Sequence, residues 1–224
     1  SVNVGGDAMS TITRKAGDTG VYAIAGAPFD VGDTPDAIDL LVSAPFVSGA
    51  LTKSGTGTMA LTSASSYAGG TLVNAGILLA NNTSGSASGG GAVIVKSGAT
   101  LGGTGIASGS VTLESGARLA PGSPSTAIES LGTGALTLGA GATLQAQIQS
   151  SGTPSADQVN VSGDVALGGL LNLSDTAATP AVVPGGTKLT LLTYTGTLTG
   201  TFAGTPEGQT LTLGINSFKI RYND

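Results

Sequence analysis

The chain has 224 residues, 38 of them glycine, with 9% charged and 4% aromatic residues and a formal charge of −5. Recurrent Val, Leu, Ile and Ala exclude a disordered polymer, and eight Lys plus Arg scattered from Arg14 to Arg221 offer no basic patch to nucleic acid. The lack of cysteine rules out disulfides, the lack of histidine rules out Ser-His-Asp chemistry, and no apolar run approaches the roughly 18 residues of a membrane helix.

The N-terminal fifty residues are the least regular. Val2-Asn3-Val4 and Thr11-Ile12-Thr13 are short strand-like pieces without a charged amphipathic helix to cover them. The start at Ser1 rather than Met suits a processed, secreted protein and equally an excised segment. Asp30, Asp33, Asp36 and Asp39 follow at three-residue spacing. That spacing fits neither an EF-hand nor a calcium β-roll, and Gly32 and Pro35 beside the acids indicate ordinary turns. No cofactor is expected; calcium at these four aspartates is the one metal reading left open.

From residue 51 onward the chain repeats. "VIVKSGATL" (Val93 to Leu101), "VTLESGARL" (Val111 to Leu119) and "LTLGAGATL" (Leu136 to Leu144) share alternating apolar residues, a Gly and a resumed apolar face. "LVNAGILLA" (Leu72 to Ala80) is a looser copy and "VNVSGDVAL" (Val159 to Leu167) a degenerate one. Each reads as strand, glycine corner, strand, and one copy cannot bury its apolar face alone. The copies must stack, each strand pairing with its counterpart one turn earlier. Gly76, Gly98, Gly116 and Gly141 mark successive corners at unequal intervals around one mean period. The expected fold is therefore all-β: a right-handed parallel β-helix, or β-solenoid, of roughly 18–25 residues per rung, about 45 Å long if nine or ten rungs form. One domain over 1–224 is expected, with irregular rungs or a docking segment to residue 50 and repeat-like rungs over 51–222. Two facing antiparallel sheets are the alternative, and the absence of Asn-Gly and Asp-Gly hairpin pairs counts against them.

The segment "LTKSGTGTMALTSASSYAGGTLVNAGILL", Leu51 to Leu79, resembles the passenger-associated transport repeat, also called the autotransporter-associated β-strand repeat, of bacterial secreted proteins. The resemblance rests on Leu51-Thr52-Lys53, Gly55-Thr56-Gly57-Thr58, Tyr67, Gly69-Gly70-Thr71 and Val73-Asn74-Ala75-Gly76. It continues more loosely through "GSVTLESGARLAPG" and "YTGTLTGTFAGTPEG". It implies a β-helix, export to the cell surface, and a stalk or display role. A departure is that nothing after Tyr222 corresponds to a membrane barrel.

Chemistry is sparse along these repeats. "SGTGT" and "GGTGIASGS" fail the phosphate-loop templates. A glycan lyase or hydrolase on a β-helix would set carboxylates beside Arg or Lys in a groove. Between residues 40 and 156 the only candidates are Glu114, Glu129, Lys53, Lys96 and Arg118. Glu114 and Arg118 read as a solvated pair, Lys53 and Lys96 as outward charges near corners, and Tyr67 as packing. Thr-rich runs read as outward strand residues, since unequal rungs make a poor ice-matching lattice. The N-x-[ST] matches at Asn82, Asn160 and Asn172 read as chance matches or turn residues, since the resemblance implies a bacterial protein.

At the C-terminus "SFKIRYND" alternates Phe218, Ile220 and Tyr222 with polar neighbours, a strand with one face to bury. With neither end insulated, Val2, Val4, Ile12, Phe218, Ile220 and Tyr222 are the interface candidates. The leading expectation is an extracellular or cell-surface structural subunit, not an enzyme, whose partner is itself, joined head to tail into a fibre or layer. The alternative is the monomeric stalk of an autotransporter-like adhesin, its glycan or receptor partner unspecified, and a glycan-active enzyme comes last. No nucleic acid and no membrane insertion by this segment are expected.

Overall fold

The chain is seen in a computed structural model that describes residues 2–4, 8–13, 22–25, 28–123 and 127–222. Every regular element among them is a strand. The alternation of the repeats sets the pairing. Val93–Val95 pairs in parallel with Thr71–Val73 on one side and Val111–Leu113 on the other, Val93 standing between Thr71 and Val111. The same first sheet runs from Val2–Val4 through Phe29–Val31 and Phe46–Ser54 to Leu136–Leu138, Val165–Leu167 and Leu198–Gly200. A second parallel sheet carries Ser10–Ile12, Leu40–Val42, Thr58–Leu61, Ile77–Ala80, Thr100–Gly103, Arg118–Pro121 and Thr143–Gln149, with Leu170–Asp175 after it. A third, shorter sheet stacks Ile106–Ala107, Ser130–Thr133, Gln158–Val161 and Leu192–Tyr194. The chain visits the sheets in rotation, which is a parallel β-helix.

Two side-chain columns from the first sheet line the interior. One is Leu51, Thr71, Val93, Val111, Leu136, Val165 and Leu198; the other is Lys53, Val73, Val95, Leu113, Leu138 and Leu167. From residue 73 to 165 the apolar members are at most 2% exposed. Val and Leu at alternate positions, stacked rung on rung, bury one face of each strand completely, and this burial drives the stack.

The corner glycines take the positive φ that the repeat demands: +66° at Gly76, +79° at Gly98, +81° at Gly116 and +80° at Gly141. They also stack, the Gly98 N–H donating to the Gly116 carbonyl at 3.1 Å and the Gly116 N–H to the Gly141 carbonyl at 3.0 Å.

From Leu51, rung length stays within the expected range as far as Leu136. The next two rungs, Leu136 to its partner Val165 and Val165 to its partner Leu198, are both longer than any before them in the repeat. The extra residues leave the stack: Ser155–Ala156 turns back antiparallel on Ile148 and Gln149, and the last rung carries the strandless 176–191. The degenerate copy also differs, because Gln158–Val161 lies in the third sheet and Val165–Leu167 in the first. It turns a different corner from the true copies, which pass from the first sheet to the second.

The C-terminal residues form an antiparallel hairpin, Thr210–Leu213 with Asn216–Lys219. Its two-residue turn begins with Gly214 at φ +58° followed by Ile215, the Gly-first arrangement of a type II′ turn. Such a turn carries no Asn-Gly or Asp-Gly signature.

Candidate functional site

The segment 51–80 holds two polar side chains in otherwise apolar columns. Register explains both: the alternation that turns Leu51 inward also turns Lys53 inward, and Thr71 follows Leu51 in the next rung. Lys53 is 0% exposed. It does not project outward as a corner charge, correcting the sequence reading. Aligning Leu51-Thr52-Lys53 with Val93-Ile94-Val95 already places Lys53 at the second inward position.

The Lys53 Nζ donates to three backbone carbonyls: Ser54 at 2.9 Å, Gly55 at 2.8 Å and Ala75 at 3.1 Å. The first two belong to its own corner and the third to the corner one rung later. Burial pushes its ammonium down to about 8, while the charges of Asp30 and Asp39 act the other way. The corner around it is built from glycine because nothing larger fits. A Cβ on Gly57 would collide with the Gly32 carbonyl oxygen, and one on Gly76 would collide with that of Gly57 and lie 2.7 Å from Lys53 Nζ.

Thr71 is satisfied by Tyr67, whose hydroxyl lies 2.6 Å from Thr71 Oγ1. Tyr67 is fully buried, its ring edge-on to Phe46 at 6.4 Å, and burial pushes its phenol up to about 12 against the Thr71 hydrogen bond. Packing is its role, as its sequence setting indicated.

The four aspartates do not gather. Asp30, Asp33 and Asp36 are exposed and Asp39 is buried, and among the described residues no three acids are placed to hold a metal ion. Asp39 accepts backbone N–H bonds from Thr34 and Thr58, each at 2.6 Å, and Asp36 accepts one from Met9 at 2.7 Å. Burial works to raise the Asp39 carboxyl, yet the Thr34 and Thr58 bonds leave it below the usual carboxylate range. These acids tie turns together.

The charged residues weighed for glycan chemistry are likewise dispersed. Glu114 reaches back one rung to Lys96 at 2.5 Å rather than forward to Arg118. The pair stands in solvent and is worth at most about 1 kcal/mol. Glu129 donates its backbone N–H to Asp157, which also accepts from Gln147 and is 1% exposed. Sequence reading passed over Asp157; its place after a Ser/Gly/Pro turn and before "QVNV" was the available signal. Asn82 is buried and fully used, accepting from Ile106 N–H at 2.9 Å and donating to the Ser84 and Gly85 carbonyls.

Of the interface candidates, Val2 and Val4 pair through the backbone with Phe29 and Val31, and Ile12 with Val42, half-buried against the core. Phe218 pairs with Leu211 in the hairpin, and Ile220 is hydrogen-bonded to Gln209 and Gly208. Tyr222 packs its ring 6.3 Å from that of Phe202, and its hydroxyl bonds the Thr205 carbonyl and accepts from Phe202 N–H at 3.0 Å. Buried Asn216 clamps the hairpin to the long last-rung loop through Ala181 O and Val183 N–H.

Residues 51–80 match the family profile described as the passenger-associated transport repeat. Over 154 residues, 67% of its length, the chain is 38% identical to the adhesin BmaC autotransporter of Brucella suis biovar 1 (strain 1330). It spans 4% of the length of that relative. No solved structure matches it.

Proposed function

We propose that this chain, which carries the passenger-associated transport repeat over residues 51–80 and is similar to an autotransporter adhesin, is a length of non-catalytic β-helical stalk in a secreted or surface-exposed adhesin. The observation that carries this reading is the parallel register running unbroken through the repeat, Leu51 over Thr71 over Val93 over Val111. A stack in which each rung templates the next extends by about 4.8 Å per rung and holds whatever it bears at a fixed distance.

The outward column of the first sheet supports a spacer rather than a reactive face. It reads Thr52, Leu72, Ile94, Thr112, Thr137, Ala166 and Thr199, without a charge. The kinship with an adhesin supports location at or beyond the cell surface.

The test is display. Placed between a secretion signal and an outer-membrane translocator, the chain should become accessible to protease on intact cells. A binding module fused beyond it should attach cells to its target. A chain retained inside the cell overturns the export reading, and cleavage of polyuronate or other glycans by the purified protein overturns the non-catalytic one.

A further inference from the structure

The Lys53 corner has the anatomy of a cation site whose cation is supplied by the chain itself. Three carbonyl oxygens converge on one point at 2.8, 2.9 and 3.1 Å, two from the Ser54–Gly55 corner and one from Ala75 in the next. Burial penalises a charge at this point, and Asp30 and Asp39 in the preceding turn offset part of that penalty. The point is sealed: Lys53 is 0% exposed, and the glycines at 55, 57 and 76 bring backbone so close that no side chain could enter. Nothing in an apolar column calls for a cation, since Val73, Val95, Leu113 and Leu138 fill the same position in later rungs.

We infer that the carbonyl cradle at Ser54, Gly55 and Ala75 is a monovalent-cation site of the ammonium class, filled here by the tethered Lys53 ammonium and able to take a small alkylammonium ion when that side chain is shortened. The distances select the class. Three oxygens at 2.8–3.1 Å match N–H donation, whereas calcium draws its ligands to about 2.3–2.6 Å and magnesium to about 2.0–2.1 Å. The ammonium also spans two rungs, so filling the site couples the two corners of the repeat mechanically. This rests on the packing of the chain and holds whether or not the stalk reading does.

The experiment uses the full chain with Lys53→Ala and Lys53→Met. Lys53→Ala removes the three terminal methylenes and the nitrogen, the equivalent of n-propylammonium; Lys53→Met fills the same space without a donor. Thermal unfolding is followed by circular dichroism at pH 7 while n-propylammonium is added, with tetramethylammonium at equal ionic strength as control. Lys53→Ala should melt well below the parent and regain most of the loss, saturably, with n-propylammonium alone. Lys53→Met should melt low and stay there. If Lys53→Ala is unfolded outright, the same titration should restore its β-sheet signal. Equal responses of all three proteins, an equal response to tetramethylammonium, or a Lys53→Met variant as stable as the parent would overturn the inference.

Discussion

Lys53 and Tyr67 give the molecule opposite responses to alkali. Lys53 titrates near 8 in the folded chain because it is buried, against about 10.4 when unfolded. Between those values the unfolded chain binds the additional proton, so stability rises with pH across that window. Tyr67 is the reverse case: burial pushes its phenol up to about 12, so above about pH 10 the unfolded chain has lost a proton that the folded chain keeps, and stability falls. Urea midpoints from pH 7 to 11.5 should therefore climb and then drop, with a crest near pH 10. Lys53→Met should remove the climb and Tyr67→Phe the drop; unaltered profiles in both variants would refute the assignment. At neighbouring Gly76, Ala must adopt φ +66° and meets both the Gly57 carbonyl and Lys53 Nζ. Gly76→Ala should cost about 2–4 kcal/mol, whereas Gly98→Ala, with open space around its Cβ, should cost only its backbone strain, about 1–2 kcal/mol. The corner glycines were legible because their recurrence marks them. The inward Lys53 was less so, since charge ordinarily signals solvent, and only its register against Val95 reveals it.

At the scale of the element, strand and corner were readable wherever a rung contains little besides them. Val93 to Leu101 and Val111 to Leu119 fall into the first sheet, corner and second sheet as their alternation indicates. The degenerate Val159 to Leu167 copy misled because strand-Gly-strand looks alike at any corner of a three-sided helix, and composition does not say which sheet a strand enters. The C-terminal strand was visible in Phe218, Ile220 and Tyr222, but its partner Thr210–Leu213 was not, the Gly214-Ile215 turn being a weak signal. The hairpin is held by Tyr222, whose hydroxyl joins Phe202 N–H and Thr205. Tyr222→Phe should cost about 1–3 kcal/mol, and hydrogen exchange should quicken over 202–220 while 93–144 stays protected. A uniform acceleration would mean that the hairpin is not a separable element. Leu113→Ala, in the fully buried column, should cost about 2–5 kcal/mol and loosen the middle rungs instead.

The whole molecule is a stack in which most order is passed from neighbour to neighbour. Its apolar columns run through the first sheet with one lysine and one threonine interrupting them, both inside 51–80 and both hydrogen-bonded. Repetition made this architecture legible from sequence, because each copy restates the same face and the same corner. Lengths and ends were less legible: the long rungs from Leu136 to Val165 and from Val165 to Leu198 arise where loops leave the stack, and a loop carries no period. The chemistry of the acids was equally indistinct, since Asp39 and Asp157 act on backbone amides brought near only by stacking.

A stalk built this way should tolerate loss of a complete rung and not loss of part of one. Deleting 93–110 removes one period, because Val93 and Val111 occupy the same position in successive rungs and the deletion would bring Val111 beside Thr71; deleting Val93 to Leu101 removes about half of it. The decisive measurement is the unfolding transition of these two deletions beside the parent. The full-period deletion should retain a cooperative β-sheet transition, with a maximum dimension in solution scattering shorter by about 5 Å, and the half-period deletion should lose that transition. A full-period deletion that unfolds as completely as the half-period one would contradict the account.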